Sequence, residues 1–174
     1  MRAGSGLPVA ELVDRLLASN KQLVGLSGWR PGTRDHDQRL AWPVLVSGET
    51  SECVLAATCY PDESPDRFTI ALNYSERCIW RVDHELPSRS PHHNPLDRVV
   101  LLDGSYQVQG PHFHSWPDNR YLATVASLPL ELSCARALPP QVRGWENAFR
   151  WFCGETGIRQ PPEIPSLPPR GRLL

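Results

Sequence analysis

Lysine is nearly absent: Lys21 is the only one, and arginine carries almost all of the positive charge. That bias fits either bidentate recognition of phosphate or the codon usage of a GC-rich genome. An excess of either charge sign is also missing. The formal net charge of -1 excludes the broad attraction to nucleic acid of a strongly basic domain, though not a local basic groove. No apolar run approaches the roughly 18–20 residues that span a bilayer. The sequence shows no signal-peptide pattern. Cys53, Cys59, Cys78, Cys134 and Cys153 are odd in number and form no C-x-x-C pair. They read as small core hydrophobes of a soluble protein in the reducing cytoplasm.

What remains is enough for one domain. The 174 residues, 40% of them apolar and six of them tryptophan, can bury a core without disulfide or metal staples. Val9, Leu12, Val13, Leu16 and Leu17 follow the spacing of one buried helical stripe, which predicts a helix from Pro8 to Asn20. Gly25–Gln38 reads as a loop. Leu40–Ser47, Glu52–Tyr60, Phe68–Tyr74 and Glu76–His84 then alternate as strands separated by turns, a pattern that predicts an antiparallel meander. Pro43 argues for an edge position for the first of them. Further strands are expected at Arg98–Leu102, Val108–Trp116 and Tyr121–Ala126, with a short helical turn within Leu130–Leu138.

Trp145, Ala148, Phe149, Phe152 and Cys153 repeat the helical stripe, ended by Gly154 or Gly157. The order helix, strands, helix indicates α+β, with about six to seven short strands and helices on one face of a mainly antiparallel sheet. The domain is expected to run from residue 1 to 159. From Gln160 onward, closely spaced prolines and Arg170-Gly171-Arg172 form a tail expected to be extended or disordered.

Chemistry points to the histidines. Five of the six lie between His84 and His114. On a strand, residues two apart share a face and their Cα atoms lie roughly 6.6 Å apart. His112 and His114 would therefore share one face, and Arg81 and Asp83 another, with His84 pointing away. If the two strands neighbour each other, the four side chains converge.

Three readings of that set compete. In a metal-free ribonuclease, His112 and His114 are the acid–base pair, Arg81 stabilises the phosphate and Asp83 orients an imidazole; His92, His93 and Asn94 support them. In a metal site, His112, His114 and one of His84, His92 or His93 hold a divalent ion, with Asp83 nearby. In a structural role, the imidazoles cap turns and bond to backbone carbonyls. Other features read as scaffold. Asp62, Glu63 and Asp66 form a solvated acidic turn, Trp116, Trp145 and Trp151 are packing residues, and Cys134 and Cys153 lie in helical stripes.

The run Arg81-x-Asp83, then His92 or His93 before Asn94-Pro95, then Pro111-His112-x-His114 resembles a family of small phage and bacterial proteins. There an R-x-D strand, an H-x-N-P loop and an H-x-H strand precede a closing helix. The resemblance spans Leu7–Ile158 in element order and Arg81–His114 in specific residues, and it implies an α+β fold. More loosely, these residues are similar to the TumE-type toxins of toxin–antitoxin modules. Departures are His84 after the aspartate and Phe113 within a shorter histidine run. That similarity implies a toxin-like endoribonuclease acting on RNA and held by an antitoxin. A non-enzymatic protein contacting a host protein or antitoxin through the sheet and the C-terminal helix is the other expectation.

Overall fold

Alternation along the central strands sorts apolar residues onto one side of a sheet, and two helices cover that side. The computed structural model describes residues 8–25, 28–34, 36–64, 66–159 and 163–169. Helix α1 spans Val9–Ala18 with Pro8 as its N-cap, and buries Val13 and Leu16. β1 (Lys21–Leu23) precedes the segment expected as a loop, Gly25–Gln38, within which the short β2 (Arg30–Pro31) forms. The meander follows as β3 (Gln38–Val46), β4 (Glu49–Cys59), β5 (Phe68–Tyr74) and β6 (Arg77–His84), antiparallel throughout. Leu40, Trp42, Leu55, Ala57, Phe68, Ile70 and Val82 form its buried face.

Helix α3 (Gly144–Glu155) closes over that face, burying Trp145, Ala148, Phe149, Phe152 and Cys153. Its Phe149 meets Trp42 edge-on at 5.5 Å, and Trp145 meets Phe68 at 5.3 Å. The chain is thus α+β with a mainly antiparallel sheet. Its strand order is β10 (Arg136–Ala137), β9 (His112–His114), β6, β5, β4, β3, β1 and β11 (Ile158–Arg159), with β2 against β3. Among the described residues, the one parallel pairing is that of β11 with β1. Eleven strands are present among the described residues, more than expected, because several two-residue strands lack any periodic signal.

Five expectations fail. Pro43 does not mark an edge: β3 lies inside the sheet, and the proline sits at a shift of register against β4, just beyond its pairing with β1. Arg98–Leu102 is not a strand but part of a 3-10 helix, Leu96–Leu102, ended by Asp103 in the left-handed region at φ 58°. Only Leu102 of that run is buried; with no sheet to cover it, the apolar run has nothing to pair with. The expected strand Val108–Trp116 is split by Gly110 (φ 76°) into β8 (Gln107–Val108) and β9 (His112–His114). β8 pairs with β7 (His92–His93) in a separate ribbon.

Tyr121–Ala126 begins in a 3-10 turn, Arg120–Leu122, and continues as a turn closed by Thr124 and Ser127. Trp116 opens a short helix α2 (Trp116–Asn119), capped by Ser115. The Leu130–Leu138 segment is extended, not helical, and ends in β10 (Arg136–Ala137). Residues 160–162 and 170–174 of the expected tail lie outside the described residues. Its middle part is not free: Trp145 and Trp29 donate their indole N–H to Pro165 and Ser166 carbonyls, and Ile164 and Leu167 pack on the core. No helix among the described residues is long and apolar enough to cross a membrane.

Candidate functional site

Strands β6 and β9 are neighbours. Arg81 stands opposite His114, Val82 opposite Phe113, and Asp83 opposite His112. The two-residue period then separates two environments. Val82 and Phe113 face α3, where Phe113 meets Trp151 at 5.0 Å. Arg81, Asp83, His112 and His114 share the opposite face and touch. Arg81 Nε donates to Asp83 Oδ2 at 2.6 Å, and its Nη2 lies 3.0 Å from His114 Nε2. Asp83 Oδ2 is 3.4 Å from His114 Nε2 and 3.6 Å from His112 Nε2. Thr69 on β5, in register with Asp83, donates to its other oxygen at 3.0 Å.

His92 joins them from β7. Its ring centroid lies 4.9 Å from that of His114 and 5.6 Å from that of His112. One ring nitrogen from each of the three imidazoles falls within 4.8 Å of the others. His93 does not join. It is exposed, beside Gln107 and Tyr106, because the same period turns it away from His92. His84 also faces away, stacked on Phe68 at 4.5 Å.

Each of the three rings is tied to a main-chain carbonyl. His112 Nδ1 pairs with Gly110 O at 2.8 Å, His114 Nδ1 with Cys134 O at 3.1 Å, and His92 Nε2 with Ser133 O at 2.9 Å. A carbonyl can only accept, so the nitrogen facing it carries the proton. In the neutral form of each ring, the bare nitrogen is thus His92 Nδ1, His112 Nε2 and His114 Nε2.

The carbonyls are themselves held. Asn119 takes the Cys134 N–H at 2.7 Å and donates to the Cys134 and Ser115 carbonyls. Asn94 does the same for Ala135, accepting its N–H at 2.7 Å and donating to its carbonyl and that of Ser105. Asn94 therefore supports the site by clamping the segment that braces the imidazoles, not by reaching them. Asn119 and the Ser133–Ala135 segment were not foreseen. Their pairing joins residues far apart in sequence and leaves no short motif. Thr69 was legible only through the β5–β6 register.

Burial sets the charges. His114, with no exposed surface, is pushed down to about 4 by desolvation, so it is neutral at neutral pH. Burial lowers His92 as well. Burial works against the Asp83 carboxylate, but the Arg81 guanidinium bonded to it outweighs that and holds it well below the usual carboxylate range. A cleft of about 370 Å³ opens beside the cluster, bounded by Tyr60, Thr69, Arg81, Asp83, His92 and His112. His114 is not part of its wall. It cannot touch a substrate as one half of an acid–base pair, and His92 is the imidazole that faces the cleft with His112.

The remaining features are scaffold. Asp62 pairs with His36 at 3.0 Å, and Glu63 pairs with Arg67 and Arg89. Trp116 and Trp145 are buried, Trp151 packs on Phe113, and burial pushes the Cys153 thiol up to about 12. Cys134 lies in the extended segment, not in a helix. No protein-family model matches the chain, and searches of curated proteins and of solved structures find no match.

Proposed function

We propose that the chain is a metal-dependent hydrolase whose divalent transition-metal ion is held by His92, His112 and His114. The observation that supports this reading is the bracing of three clustered imidazoles. Metal-binding histidines ordinarily donate their second N–H to a carbonyl or carboxylate, which fixes the ring and its tautomer. All three rings here have that arrangement. Neutral imidazoles suit zinc, cobalt or nickel, and a three-histidine set leaves a coordination position open for catalysis. The cleft bounded by His92 and His112 gives that position access to substrate.

Equilibrium dialysis against zinc tests the reading. The wild-type chain is expected to retain one equivalent. His112→Ala, with an unchanged circular dichroism spectrum, is expected to lose it. Retention of no zinc above background by the wild type would overturn the proposal.

A specific observation also favours metal-free cleavage of RNA: Arg81 bounds the cleft between His92 and His112. In that reading His92 and His112 move protons, Arg81 stabilises the phosphate, and buried His114 positions Arg81 through their contact at 3.0 Å. Chelator separates the two readings. RNA cleavage that persists unchanged in chelator and vanishes in His112→Ala supports the metal-free enzyme.

A further inference from the structure

Arg81 stands on a lone pair that the metal centre needs. Its Nη2 lies 3.0 Å from His114 Nε2, which is the unprotonated nitrogen because Nδ1 faces the Cys134 carbonyl. One lone pair cannot serve both a guanidinium and a metal ion. The two cations would also repel across the few ångströms separating them, in surroundings of low dielectric. Metal binding at His114 and the Arg81–His114 contact therefore exclude each other.

The guanidinium has somewhere to go. Its side chain is 34% exposed, unlike that of His114, and Arg81 borders the cleft. Asp83 holds it by Nε at 2.6 Å; the guanidinium is a rigid plane, so a swing of the aliphatic stem that takes Nη2 off His114 moves the whole fork toward the cleft, with Asp83 still beside it as a counter-charge. Arginine is always charged and presents its N–H donors as a planar fork. A freed fork in a cleft is a receptor for an oxyanion with two adjacent oxygens. Arg67 also lines the cleft and Glu85 opposes it, but Arg67 is already engaged by Glu63 and stacked on Tyr60.

We infer that Arg81 couples the two sites: a divalent metal ion displaces its guanidinium from His114, and the displaced fork receives in the cleft an oxyanion with two adjacent oxygens, the chemistry that a phosphodiester offers. The inference rests on the metal-centre reading and adds the substrate class and the order of events. Metal ion and phosphodiester then bind with positive cooperativity, and linkage requires each to strengthen the other by the same factor.

Co²⁺ titrations with and without dimethyl phosphate, a diester probe, test this. In the wild type, saturating dimethyl phosphate is expected to tighten Co²⁺ binding on the order of 10-fold. Arg81→Met, with the competing cation removed, is expected to bind Co²⁺ more tightly than the wild type and to show no response to the diester. Arg81→Lys keeps a cation beside Asp83 should Arg81→Met fold poorly. It is expected to lose most of the response, because a point charge replaces the fork.

Failure of the two ideas is distinguishable. Absence of Co²⁺ binding in wild type and variants alike overturns the metal centre and the coupling with it. Co²⁺ binding that is equally tight in wild type and Arg81→Met overturns the coupling alone. So does a diester response that survives in Arg81→Met, since the anion then acts through the ion and not through Arg81.

Discussion

Strands β6 and β9 carry two different regions of this molecule on their opposite faces. Toward α3, Val82 and Phe113 join a close-packed apolar layer with Phe149 and Trp42. Toward the β7–β10 loops, Arg81, Asp83, His112 and His114 meet as a polar cluster in which Asp83, His112 and His114 are buried and Arg81 borders the cleft. The first face is held by area removed from water and by packing, which need no particular partner. The second can be buried only if every polar atom finds one. That requirement explains why the loops over the site are stapled by two asparagines.

Substitutions on the two faces should therefore differ in kind. The largest expected effect is on the apolar side. Phe149→Ala, at a site with no exposed surface, should cost about 3–5 kcal/mol in urea denaturation while leaving the metal affinity of the folded fraction unchanged. On the polar side, Asn119→Ala leaves the Cys134 N–H and carbonyl short of partners and should cost about 1–3 kcal/mol. It should also weaken metal binding on the order of 10-fold or more, since Cys134 O orients His114. Loss of stability alone in Asn119→Ala would break the contrast.

Acid should also separate the faces. His114 binds its proton more weakly when folded, at about 4, than its ordinary value of 6.5. Between those values the unfolded chain holds more protons, so stability falls as pH drops from 6.5 toward 4 and is unaffected by this group above that window. Asp83, held below its ordinary 3.8, adds a further loss as pH falls through and below that value. Urea melts in chelator should show the His114 component in the wild type and a flatter profile in His114→Gln. The smallest effect is expected away from both faces. Glu146→Gln removes an exposed pair with Arg150 on α3 and should cost no more than about 0.5 kcal/mol, with no change in metal affinity.

Where a residue's environment follows from its own strand or helix, the sequence is readable. The stripe Trp145–Cys153 lies buried as its spacing implies, and the face shared by Arg81 and Asp83 follows from their separation by two. Residues governed by distant partners are not readable. Leu96, Val100 and Leu101 look like strand material but are exposed on a 3-10 helix, because whether an apolar run pairs depends on what lies beside it. His92 and His93 are indistinguishable by type, and only the β7–β8 ribbon decides which one meets His112 and His114. The asparagine clamps depend on contacts between Asn94 and Ala135 and between Asn119 and Cys134, which no local pattern encodes.

In the proposed metal centre, three imidazoles, each fixed by a carbonyl, present their bare nitrogens to one ion. Long-range proton–nitrogen NMR correlation of the histidine rings, recorded before and after one equivalent of zinc, addresses it directly. The proton is expected on Nδ1 of His112 and His114 and on Nε2 of His92, with zinc shifting His92 Nδ1, His112 Nε2 and His114 Nε2 together. Opposite tautomers, or zinc shifts confined to exposed His36 and His93, would contradict it.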